Sequence, residues 1–151
     1  MNDSATLTIA DGHAQQDFAR AVPVAILAAV AGAVLWAAFG YFSGMSLGLV
    51  AILIGALVGY AVRRVGKGVD RKFGYLGGAA SALGWALGTW MCDIALLAKA
   101  TGRPMLDVLG NIGLADSVAF AFRAADAMDV LFLAIAVYEG YRFSLRYPKA
   151  G

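Results

Sequence analysis

At 151 residues, 61 % hydrophobic and 15 % charged, the chain carries more apolar surface than a soluble domain of this size can bury, so lipid is its fitting solvent. The single cysteine, Cys92, excludes an internal disulfide, and with the single histidine, His13, it excludes a bis-histidine haem site, a Cys/His zinc site and a Ser-His-Asp triad within one chain. The net charge of +2 is uninformative by its size, and its distribution along the chain carries the information.

Residues 1–20 form a polar tail holding Asp3, Asp11, His13, Asp17 and Arg20. It lacks the basic n-region of a secretory signal, so the first apolar helix is expected to be retained. Either Asp11 caps a short interfacial helix running to Arg20, with Phe18 in the headgroups, or the tail is disordered. From Ala21 to Val62 there is no charge in 42 residues. About 20 apolar residues cross ~30 Å of hydrocarbon. The stretch therefore reads as two spans, about 22–42 and 47–64, divided at Ser43-Gly44-Met45-Ser46, with Pro23 in the first turn of the first.

Arg63, Arg64, Lys67, Arg71 and Lys72 follow in a glycine-containing loop. Such a loop sets topology and touches anionic lipid, at ~1 kcal/mol per basic residue. No nucleic-acid partner is expected, since a short tethered loop offers no reading module. The third span, about 73–98, ends before Thr101-Gly102-Arg103-Pro104, where Gly102 suits a left-handed cap and Pro104 blocks continuation. Residues 104–117 read as a short amphipathic piece lying flat on the membrane, with Met105, Leu106, Leu109 and Ile112 on one face and breaks at Asn111 and Gly113.

The fourth span, about 126–144, is the weakest, because only Val130 to Tyr138 is free of charge. Its six strongly apolar residues at roughly −0.5 kcal/mol each favour insertion by about 3 kcal/mol, which one central charge would cancel. Charge placement decides. With four spans, Arg20, the five loop residues, Arg142, Arg146 and Lys149 share one side, nine basic residues against three. With three spans the count is six against six. The positive-inside rule prefers the first arrangement. The expectation is an all-α polytopic protein: four transmembrane helices in an up-down bundle, a short interfacial helix between spans three and four, and a short tail at 148–151. Both termini are then cytoplasmic, in a bacterial inner membrane.

Small residues recur at four-residue spacing: Gly55 with Gly59, Gly74 with Gly78, and Gly84 with Gly88. Such faces let helix backbones approach closely, inside one bundle or against another subunit. Asp93 is the foremost ion-path or partner candidate, since an ionisable group within a span faces a bundle interior, a wet cavity or a partner. Lys99, Arg123 or the start of the fourth span is expected within its reach, and a structural hydrogen bond or interfacial ion pair is the plainer role. Glu139 is the second candidate, with Arg142, Arg63 or Arg64 as its expected partner. By helix rise it lies in the opposite half of the bilayer from Asp93, so the two form no catalytic pair. Arg123, Asp126 and Asp129 recur every three residues, as on one solvated helix face. Trp36, Trp85, Trp90, Tyr41, Tyr60, Tyr141 and Tyr147 fit an interfacial belt, with packing on a pigment or lipid as the alternative. No catalytic residue, metal site or cofactor is expected.

Gly48 through Gly55, Gly59-Tyr60-Ala61-Val62-Arg63, Gly66-Lys67-Gly68, and Met128-Asp129-Val130-Leu131-Phe132 leading to Ala136-Val137-Tyr138 together resemble a class of small multi-span bacterial inner-membrane proteins. The likeness covers about half the chain. It implies a location and topology and carries no catalytic residues. The leading functional expectation is a non-catalytic accessory or scaffold subunit that packs on a larger membrane complex, or on itself, through small-residue faces. The alternatives are an oligomeric cation or proton channel using Asp93, and a membrane enzyme subunit with a cofactor held between chains.

Overall fold

Asp17 sets where the first helix begins. Its side chain accepts from the Arg20 backbone N–H at 3.0 Å and pairs with the Arg20 guanidinium at 3.1 Å, satisfying a donor that a helix start leaves open. The computed structural model describes residues 14–45, 48–124 and 126–146. Among the described residues the all-α fold has six helices: α1 (Phe18–Ser43), α2 (Leu49–Gly66), α3 (Arg71–Thr101), α4 (Met105–Ile112), α5 (Leu114–Ala124) and α6 (Ala127–Ser144).

The expected turns occur where left-handed glycines allow them. Gly44 (φ 72°) closes α1 and Gly102 (φ 65°) closes α3. Because Asp17 starts α1 early, Pro23 lies inside the helix, not in its first turn. Its missing N–H would have bonded the carbonyl of Ala19, an exposed residue whose oxygen is open to other donors. Phe18 packs edge-on against Phe73, ring centroids 5.3 Å apart, and stays partly exposed. Asp11 and Ser46 lie outside the described residues.

Among the described residues three helices, not four, are long and apolar enough to cross a membrane: α1, α2 and α3. Helix α6 falls short because its 18 residues carry Asp129, Glu139 and Arg142. None of the three stands at the helix centre, but between them they leave only Val130 to Tyr138 free of charge, about half of what a span needs.

Tertiary packing nevertheless makes α6 a full member of a four-helix bundle. Helices α2 and α3 touch each other and both of the others, while α1 and α6 sit at opposite corners. Ala29 meets Gly84, Trp36 meets Gly88 and Gly40 meets Cys92, so α1 and α3 run parallel. Gly48 meets Phe132, Gly55 meets Ala136 and Gly59 meets Gly140, so α2 and α6 run parallel in the opposite sense. The chain thus goes up, down, up and, after an elbow, down again. The start of α1, the end of α2, the start of α3 and the end of α6 meet at one end, called here the basic end.

The elbow differs from the expected single interfacial helix. It has two helices, α4 and α5, that pack on α3 and on each other. The break falls at Gly113 alone, whose φ of 82° favours glycine. Asn111 stays inside the last turn of α4 because its Nδ2 donates to the Asp107 carbonyl at 2.7 Å. Trp90 Nε1 donates to Ser117 Oγ at 3.0 Å, tying α5 to α3.

Arg123, Asp126 and Asp129 do not share a helix face, since the chain changes helix between them. Asp126 is the N-cap of α6, accepting from the backbone N–H groups of Met128 (2.8 Å) and Asp129 (3.0 Å). Asp129 Oδ2 accepts in return from Asp126 N at 3.0 Å, completing a capping box. Asp126→Ala is therefore expected to destabilise the fold by about 1 kcal/mol, lowering Tm by about 3 °C in a detergent melt.

Candidate functional site

All six glycines of the sequence pattern lie at crossings within the chain. A Cβ on Gly55 would run into the Ala136 backbone, one on Gly59 into Phe143 Cβ at 2.6 Å, and one on Gly74 into the Tyr141 ring at 2.6 Å. Gly84 meets Ile54 and Ala29, and Gly88 lies beneath the Trp36 ring. Gly78 is the loosest, with Val137 at 3.4 Å. These faces are occupied by the chain's own helices.

The closest crossing involves Ser81, which lies beside that pattern in the sequence, and Gly77, Gly140 and Ser144, which are outside it. Gly77 and Ser81 on α3 face Gly140 and Ser144 on α6 reciprocally: each glycine lies beneath the serine of the other helix. Ser81 Oγ donates to the Gly77 carbonyl at 2.7 Å and Ser144 Oγ to the Gly140 carbonyl at 2.6 Å, so both hydroxyls are satisfied within their own helices. Both serines are fully buried. A search for any small residue at four-residue spacing, serine included, would have found this pair.

Asp93 is half-buried on α3 and lines a cavity of about 460 Å³ between α3 and α5, together with Asp116 and Arg123. Neither expected cation forms an ion pair with Asp93: Lys99 Nζ donates to the Phe42 carbonyl at 3.1 Å, and Arg123 shares only the cavity. Asp93, Asp116 and Arg123 are the charged residues bordering this space at the elbow end, among Ile94, Leu97 and Phe120. Among the described residues no group of three or more His, Cys, Asp or Glu is placed to hold a metal ion.

Glu139 lies on α6 near the basic end, partly buried. Among the described residues the ion pairs are Arg20–Asp17 and Lys72–Asp70, so Glu139 pairs with none of Arg142, Arg63 and Arg64. The outward face of α6 runs through Leu131, Ala134, Tyr138 and Arg142, all exposed, with Glu139 on its flank.

The aromatic belt is partial. Tyr41 and Tyr60 are exposed, but Trp36 and Trp85 are buried, and their indole N–H groups, like the Thr89 hydroxyl, find no acceptor. Trp85, Trp90 and Thr89 border an apolar cavity of about 260 Å³ against α5. Tyr147 lies outside the described residues.

At the basic end the expected five-residue set divides. Lys72 pairs with Asp70 at 3.3 Å and sits over the Phe18 and Phe73 rings. Arg63, Arg64 and Lys67 instead line a cavity of about 510 Å³ with Tyr60 and with Arg146. Arg146 comes from beyond α6, and its backbone N–H bonds the Gly68 carbonyl at 2.9 Å. Nothing local in the sequence announces that meeting, because it depends on α6 returning to this end.

No protein-family model, curated protein or solved structure matches the chain.

Proposed function

We propose that the chain is a non-catalytic accessory subunit of an inner-membrane complex, spanning the bilayer four times with both termini in the cytoplasm and covered along the outward face of α6 by a second membrane protein. One observation carries this reading. Helix α6 is held in the bundle by close glycine crossings, yet its partly buried Glu139 has no ion-pair partner among the described residues. An ionisable group at membrane depth is expensive unless a neighbour or a wet cavity receives it. A second chain along α6 supplies that neighbour.

The four-span wiring rests on bundle geometry and charge. Arg142 and Arg146 return to the end that carries Arg20, Arg63, Arg64 and Lys67, which the positive-inside rule puts in the cytoplasm. The small-residue faces are taken up inside the bundle, so the partner meets larger side chains: Leu131, Tyr138 and the carboxylate beside them.

A photo-crosslinker in place of Tyr138, 58 % exposed, tests the reading in native membranes against one in place of Leu27, 68 % exposed on α1. A discrete protein adduct from position 138 and lipid adducts alone from position 27 are expected. Lipid adducts alone from both positions would remove the proposal.

A further inference from the structure

We infer that the cavity of Tyr60, Arg63, Arg64, Lys67 and Arg146 is a binding site for the phosphate of an anionic phospholipid headgroup. The site is independent of the partner face on α6. Four cationic side chains line one space of about 510 Å³ with no carboxylate among the lining residues. None of the four forms an ion pair with an acid among the described residues, whereas Arg20 and Lys72 at the same end are both taken up by aspartates. Like charges so grouped repel, and an anion that binds between them relieves the repulsion.

Two backbone features hold the group together at a cost. Arg146 is anchored by its N–H to Gly68, which brings a residue from the far end of the sequence to the end of α2. Lys67 closes α2 in the left-handed conformation (φ 47°), a position where glycine or asparagine is the unstrained choice. It is the sole non-glycine residue with positive φ among the described residues, and it stands between Gly66 and Gly68. The strain places an ammonium group where glycine would put nothing. Strained backbone of this kind clusters at ligand sites.

The position suits a lipid more than a free anion. Tyr60 lies one helical turn from Arg63 and Arg64 toward the apolar body of α2 and is 59 % exposed. A tyrosine there sits at the level of the acyl ester, below cations at the level of the phosphate. Basic pockets at the cytoplasmic ends of transmembrane helices recognise anionic headgroups in this way.

Native mass spectrometry of the full chain in detergent, with phosphatidylglycerol, phosphatidylcholine or inorganic phosphate added in turn, tests the inference. Phosphatidylglycerol is expected to be retained about tenfold or more over phosphatidylcholine. At ~1 kcal/mol per basic residue, the double variant Arg63→Gln/Arg146→Gln should weaken that retention about thirty-fold, while Arg103→Gln at the other end should leave it unchanged. Lys67→Gly should weaken retention yet raise Tm by about 3 °C as the strain is released, so lost binding is not mistaken for lost folding. Competition by millimolar inorganic phosphate would keep the phosphate site and assign it a soluble ligand. Equal retention of both lipids, or retention unaffected by the double variant, would overturn it.

Discussion

Replacing Gly140 by valine is expected to unseat α6 from α3 and to lower Tm in detergent by about 10 °C. A side chain there would run into the Ser81 hydroxyl and lie 2.6 Å from the Gly77 carbonyl oxygen, which is backbone and cannot rotate away. Overpacking in a core commonly costs 1–3 kcal/mol, and a clash with helix backbone belongs at or above the top of that range, about 3 kcal/mol. For a chain of this length each kcal/mol corresponds to about 2–4 °C. Gly140→Ala should follow in the same direction. Gly78→Ala is the internal comparison: its Cβ would meet Val137 at an ordinary 3.4 Å, and alanine gains ~1 kcal/mol of helix propensity. The first pair should melt early and Gly78→Ala no earlier than the wild type. Equal behaviour of Gly140→Ala and Gly78→Ala would show that the reciprocal Gly/Ser crossing does not hold α6.

Removing the Phe73 ring should be of similar size for the opposite reason, a void in place of a clash. Phe73 is fully buried, and its ring fills the space above Gly66 and Gly68 at the basic end. Phe18 closes it edge-on, and Asp17 N–H bonds the Gly66 carbonyl beside it at 3.0 Å. A buried Phe→Ala change costs about 3–5 kcal/mol, so Phe73→Ala should lower Tm by 10 °C or more. The loop from Gly66 to Asp70 should become a ready tryptic site at Lys67, which limited proteolysis would read directly. Phe73→Leu, which keeps most of the volume, should lose less than about 1.5 kcal/mol and keep the loop resistant.

Much of the secondary structure was legible in advance, and for a local reason. In lipid every backbone polar group must be satisfied within its own segment, so a long uncharged run dictates a helix wherever it occurs. The cap at Gly102 followed from residue type, and the end of α1 at Ser43 from the small, polar residues that begin there. The elbow was only half legible, because its second helix carries Asp116 and Arg123 amid apolar residues and shows its role only when α5 is laid against Trp90. Arg123, Asp126 and Asp129 had helical spacing in the sequence, but the spacing of a capping box is the same one. Trp36 and Trp85 had interfacial chemistry, yet Gly88 leaves room that takes the Trp36 ring inside.

By itself the sequence determined that the chain is helical and roughly where its first three apolar helices begin and end, whereas the fourth span it led us to expect is not long and apolar enough among the described residues. Those are properties of single segments in a given solvent. Only the tertiary structure decided which small residues touch, that Gly140 and Ser144 answer Gly77 and Ser81, and that Arg146 joins Arg63, Arg64 and Lys67. A glycine can be approached from any direction, and a charge acts on whatever is brought near it, so both take their meaning from helix rotation and chain return. Neither is written in local spacing.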